Sequence, residues 1–148
     1  MGLYYDDMSV GQEWISPART ITEWDVMTFA TLTSDMNSMH TDAEYCKTTT
    51  FGERIAHGFL IASIAAGLGA RLGIAEGTIV ANLGINWRFL NPVKFDDTIH
   101  LVMTVKEMRL SKSRPNEGIV VRTYDVRNQR GETVALGEVA ATFQRKPV

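Results

Sequence analysis

The segment from His57 to Leu72 constrains the fold of this chain more than any other stretch. Leu60, Ile61, Ile64, Ala65, Leu68 and Leu72 recur with a period of about 3.6 residues, the signature of one apolar helical face. Most remaining positions carry almost no bulk: Gly58, Ala62, Ala66, Gly67, Gly69 and Ala70. A glycine inside a helix costs about 1 kcal/mol relative to alanine. A helix that keeps Gly67 and Gly69 is therefore expected to be pressed against neighbours on more than one side, and a sheet wrapped around it supplies them.

Strand patterns follow. Thr78 to Phe89 alternates loosely, and Ile99, Leu101, Met103 and Val105 alternate with His100, Val102, Thr104 and Lys106. Ser111 to Gly118 reads as a loop. Ile119 to Asn128 reads as a strand, Gln129-Arg130-Gly131 as a hairpin turn, and Glu132 to Gln144 as a last strand with a bulge at Gly137. Upstream, Trp14 to Ile21 reads as a short strand broken at Pro17. Thr22 offers an N-cap to a helix with Trp24, Met27, Phe29, Ala30 and Leu32 on its apolar face. Thr41 offers another, with Glu44 at the capping-box position. The order predicts one α+β domain over residues 1–148, a long central helix against an antiparallel sheet.

Composition narrows the function. A formal charge of -2, with basic residues dispersed among acids, argues against nucleic acid and anionic membranes as partners. The one cysteine, Cys46, excludes an intrachain disulfide framework and a Cys-rich zinc site. Met1 to Val10 lacks the basic and apolar regions of a signal peptide. The apolar run Phe59 to Leu72 is too short and too glycine-broken to span a bilayer. A cytoplasmic protein is expected. No glycine motif for phosphates and no metal-ligand spacing stands out, so neither cofactor nor metal is predicted.

Chemistry concentrates in two places. The polar loop Thr33 to His40 holds Asp35 and His40, an acid and an imidazole five positions apart that suit general acid–base work. Asn37 lies between them and can fix the loop through side-chain-to-backbone bonds. Met36 and Met39 flank the pair and are expected to desolvate it. His57-Gly58 then opens the long helix. The His57 side chain is expected to cap that helix, while the N–H of Gly58, with no Cβ beside it and the helix dipole behind it, can hold a developing oxyanion. Ser63 lacks a nucleophile elbow, and Cys46 reads as a packed thiol.

The run Ser34-Asp35-Met36-Asn37-Ser38-Met39-His40-Thr41-Asp42, with Phe51-Gly52-Glu53-Arg54-Ile55-Ala56-His57-Gly58-Phe59-Leu60, closely resembles the hydratase motif of MaoC-like dehydratases and (R)-specific enoyl-CoA hydratases. Asn86 to Thr98, with Phe89, Pro92-Val93 and Asp96-Asp97, is similar to their strand-turn-strand segment. The resemblance implies a hot dog fold, a homodimer, and an acyl-CoA or acyl carrier protein thioester as substrate. It implies reversible hydration of a 2-enoyl thioester to an (R)-3-hydroxyacyl thioester. Asp35 and His40 would flank the catalytic water, and the Gly58 N–H would bind the thioester oxygen. Three positions depart from the family pattern: Ser38 stands where proline is usual, Asp96 where glycine is usual, and Ala66 where some relatives carry serine. Two alternatives fit the same fold. An acyl-CoA thioesterase would want a carboxylate on the central helix, which has none between Gly58 and Leu72. A non-catalytic acyl-thioester-binding module would not need the Asp–His pair.

Overall fold

A computed structural model describes residues 2–147. Four long strands follow the central helix α4 (Gly58–Arg71): β3 (Ile79–Phe89), β4 (Thr98–Leu110), β5 (Glu117–Asn128) and β6 (Thr133–Gln144). They pair antiparallel in the order β4-β5-β6-β3, and two short strands, β1 (Glu13–Ile15) and β2 (Arg19–Thr20), line the free edge of β4. The result is the hot dog arrangement, one helix held against one antiparallel sheet.

Strand alternation decides which residues meet that helix. Leu101, Val126, Ala135 and Phe89 form one row across the sheet, and Met103, Tyr124, Gly137 and Trp87 form the next. Leu60, Ile61, Ile64, Ala65 and Leu68 of α4 join Leu101, Met103, Tyr124, Val126 and Ala135 in the main core. Burying side chains of this size contributes about 1.5–3 kcal/mol each, so the helix face and the sheet face specify each other.

Several local features differ from the sequence-based expectation. The break expected at Pro17, which has no N–H for the ladder, is complete and leaves two separate strands, β1 and β2. Ser16 bridges the gap, donating its N–H to Leu101 O and accepting from Leu101 N–H at its hydroxyl, both at 2.9 Å. Thr41 does not open the second helix. It closes a short turn, α2 (Ser38–Thr41), and Asp42 caps α3 (Ala43–Cys46) by accepting from Tyr45 N–H at 2.9 Å. A carboxylate is available there, while the Thr41 hydroxyl is already donated to Asn37 O at 3.2 Å. Glu44 pairs with Lys47 instead of completing a box.

The glycines also sort differently. Gly137 is no bulge: its pairing with Trp87 and Tyr124 is in register, and the Trp87 ring lies where a Cβ would be, 2.7 Å away. Gly69 is pressed, with the Tyr124 hydroxyl 3.2 Å from a hypothetical Cβ, but Gly67 faces open space. The Asp96 position, at φ 67°, is in the left-handed region that favours glycine and that aspartate tolerates. Its neighbour Asp97 locks the turn, accepting from Lys94 N–H at 2.9 Å and from Gln129 at 2.7 Å.

Gly137→Ala therefore destabilises the fold by about 1–3 kcal/mol through overpacking against Trp87. Gly67→Ala stabilises it by up to about 1 kcal/mol, since a helix-interior glycine gains a side chain with nothing in its way. Urea unfolding of the two variants should move the midpoint in opposite directions.

Candidate active site

The polar loop is fixed from both sides. Helix α1 (Glu23–Thr33) begins at a capping box in which Thr22 N–H donates to the Asp25 carboxylate at 2.9 Å and Asp25 N–H donates to the Thr22 hydroxyl at 3.3 Å. It ends at Ser34, whose φ of 65° turns the chain sharply. Asp35 follows, and Asn37 then caps α2 by accepting from Met39 N–H at 3.0 Å. Asn37 also donates its own N–H to the Asp35 carboxylate at 3.4 Å. Met36 is exposed and Asp35 is exposed with it, so the expected desolvation reaches only His40, which is buried.

The two imidazoles are tied by different bonds. His40 Nδ1 lies 2.7 Å from Ile55 O. A carbonyl only accepts, so Nδ1 carries the proton and Nε2 keeps its lone pair. His57 Nε2 likewise donates to Asp35 O at 3.0 Å. The rings stack at 3.7 Å between centroids, and Phe29 packs on His57 at 5.1 Å. His57 occupies the N-cap position of α4, but its side chain makes no capping bond. The ring is drawn instead into the apolar space under Phe29 and spends its donor on the loop, so the expected cap is replaced by a helix-to-loop tie.

Asp35, His40 and His57 converge: one oxygen and one nitrogen from each ring lie within 4.8 Å of one another. Their sequence spacing carries no metal signature. The set could offer a divalent cation three donors, although His57 Nε2 is already committed to the Asp35 carbonyl and His57 Nδ1 is fully buried without a partner. The Asp35 carboxylate is exposed, and His40, with Nδ1 committed to Ile55 O, keeps Nε2 for another partner.

His40 lines a cavity of about 380 Å³ together with Gly58, Ile55, Phe89, Pro92 and Val93. Gly58 is the first residue of α4, so its N–H has no acceptor one turn back. The Phe89 ring passes 2.9 Å from where a Gly58 Cβ would stand. Any other residue would be driven into that ring.

The MaoC-like domain model matches residues 7–129 of the chain. The chain belongs to the MaoC-like domain family. An (R)-specific enoyl-CoA hydratase from Rhodospirillum rubrum is 42% identical over 103 residues, 69% of this chain and 69% of that protein. The protein MaoC of Klebsiella aerogenes is 37% identical over 112 residues, 75% of this chain but only 33% of its own length. A solved structure of a monoamine oxidase regulatory protein from Archaeoglobus fulgidus superposes with a TM-score of 0.92 at 36% identity, covering 99% of this chain and 97% of that one.

Two residues of this MaoC-like chain escaped the sequence reading. Phe89 was seen only as part of a family segment, not as the wall against Gly58. Arg122 was not singled out at all, although β5 alternates strictly and Val120, Arg122, Tyr124 and Val126 all fall on its buried face. A charged residue in that row was the available signal.

Burial lowers the pKa of His57 from its ordinary value, the bond to the Asp35 carbonyl partly offsetting it. The folded protein thus binds the His57 proton less readily than the unfolded chain. That contribution to stability is complete above about pH 6.5 and is lost as pH falls below it. NMR titration should show His57 protonating below the ordinary histidine range, with the melting temperature falling over the same interval.

Proposed function

We propose that this MaoC-like protein is a hydro-lyase that adds water reversibly to a 2-enoyl thioester, giving an (R)-3-hydroxyacyl thioester. The observation that carries the reading is that the polar loop and the start of α4 meet at one cavity. His40 and Gly58 both line that cavity, His40 with its Nδ1 committed to Ile55 O, and the Asp35 carboxylate lies within 4.8 Å of the imidazole nitrogens behind it. The hydratase name of the Rhodospirillum rubrum relative supports it and favours coenzyme A over an acyl carrier protein as the carrier.

In this mechanism the thioester oxygen rests on the Gly58 N–H at the positive end of α4. A water between Asp35 and His40 donates one hydrogen to the carboxylate and one to His40 Nε2. As its oxygen bonds to C3, negative charge moves to the thioester oxygen, where the amide meets it. The proton lost by the water enters the Asp–His pair, and the pair returns one proton to C2. The double bond has then gained the elements of one water, and the pair regains its starting charge. Asp35 is the principal base; His40 orients the water and relays the proton. Asn37 holds the loop, and His57 positions both Asp35 and Gly58 without touching substrate. Neither cofactor nor metal takes part in these steps, and the cytoplasmic placement expected of a chain with one buried thiol belongs to the same reading. Among the described residues no helix is long and apolar enough to cross a membrane.

The same reading includes a homodimer. β3 is a sheet edge with apolar side chains in the open: Leu83 is 54% and Ile85 61% exposed. An exposed, unpaired apolar strand is a template for another chain, and a second copy of β3 would cover it.

Asp35→Asn and His40→Gln should each lower crotonyl-CoA hydration, followed at the enoyl absorbance, by about 10²–10⁴-fold. Equal rates for both variants and the wild type would remove the pair from the mechanism, and thiol release in place of hydration would favour a thioesterase. Separately, Leu83→Asp should shift the sedimentation coefficient from dimer to monomer; an unchanged coefficient would place the interface elsewhere.

A further inference from the structure

A second cavity, of about 880 Å³, runs between α4 and β3, and Phe89 belongs to its wall as well as to that of the reaction cavity. Its walls are mostly apolar and small: Ala62, Ala66, Gly69 and Ala70 from α4, Ile85 from β3. Ala66 and Gly69 leave room along the helix where a larger residue would fill it.

Two charged residues line this cavity, Glu76 and Arg122, and Arg122 is its one cation. Arg122 is only 4% exposed, and no carboxylate pairs with it among the described residues. Its Nε is fully buried without a hydrogen-bond partner. The guanidinium rests on aromatic faces alone, 5.2 Å from the Phe143 ring centroid and 5.7 Å from that of Tyr124. Breaking a buried pair by leaving one charge alone is strongly destabilising, so a guanidinium kept in this position needs an anion. The Tyr124 hydroxyl reaches toward α4 at Gly69, and Arg122 and Tyr124 both line the cavity. Burial lowers the Arg122 pKa and raises that of Tyr124, which keeps the phenol a donor.

The position suits a distal group of the substrate. Arg122 shares its row with Val139 and Ile85, and Phe89, beside Gly58, is four residues further along β3. At about 3.3 Å per residue the two rows are about 13 Å apart, the reach of an extended acyl chain of medium length.

We propose that this groove receives the far end of the acyl chain and that Arg122, with Tyr124 beside it, binds a carboxylate carried there. The substrate class is then the dicarboxylic 2-enoyl thioesters. This assignment rests on the hydratase reading for its thioester end, while the carboxylate subsite can be measured without turnover.

Two measurements test it. First, kcat/KM is compared for a series from 2-hexenedioyl-CoA to 2-dodecenedioyl-CoA, each beside the methyl-ended 2-enoyl-CoA of equal length. At the best-fitting length the wild type should prefer the dicarboxylic substrate by at least about 10-fold. Arg122→Met should lower that preference by about 10²-fold, mostly through KM, and Arg122→Lys should restore part of it. Second, calorimetry compares the saturated suberyl-CoA with octanoyl-CoA, which reads the subsite even if the protein hydrates nothing. Tighter binding of suberyl-CoA that Arg122→Met abolishes supports the subsite. Equal binding of the two, or an Arg122→Met variant that melts normally and loses both substrates alike, overturns it. No hydration of crotonyl-CoA or of any 2-enedioyl-CoA in the series, beside selective suberyl-CoA binding, would overturn the hydratase reading and leave the carboxylate subsite standing.

Discussion

One hydrogen bond holds the site together: His57 Nε2–H to the carbonyl of Asp35, at 3.0 Å. It joins two parts of the chain that arrive from different directions. The carbonyl belongs to the loop after α1, and the ring to the residue before α4. With Phe29 on one side and the His40 ring on the other, His57 is locked in a buried position with little freedom. The loop residue Asp35 and the helix amide at Gly58 are thereby referenced to a single side chain. The cost is visible as well, since His57 Nδ1 is buried without a partner, an omission worth about 1–3 kcal/mol. Native proteins keep such unpaid groups mainly where geometry matters more than stability.

The second constraint is the absence of side chains. Gly58 lies under Phe89, Gly69 under Tyr124, and Gly137 under Trp87. Each glycine admits an aromatic ring of the sheet or its hydroxyl to a place where a Cβ would stand. The helix sits close enough to the sheet for its first residue to line the cavity beside His40, while the small face of α4 remains open along the second cavity. Phe89 borders both spaces. It divides the cavity lined by His40 and Gly58 from the one lined by Arg122.

Much of this could be read from residues alone, for identifiable reasons. The periodicity of Leu60 to Leu72 and the alternation of Leu101, Met103 and Val105 are local patterns, and they gave the helix and the sheet. That Asp35, His40 and Gly58 belong near one another was suggested by their residue types and spacing, and the fold brings Asp35 to His40 and His40 to the cavity of Gly58. What escaped depends on contacts between distant segments. No sequence rule says that Trp87 covers Gly137 rather than a bulge forming there, or that His57 turns its ring to Asp35 rather than back to its own helix. Thr41 lost its capping role to Asp42 because two neighbouring residues competed for one position. Arg122 was hidden differently: the alternation that buries it was readable in β5, but its lack of an anionic partner appears only once every nearby element is in place.

The most direct measurement is a crystal structure of the Asp35→Asn variant with crotonyl-CoA bound. The thioester oxygen should lie about 3 Å from the Gly58 amide, with C3 facing the amide of the substituted residue and His40 Nε2 across one water. A thioester oxygen directed away from Gly58, or a chain seated with C3 far from His40, would contradict the assignment.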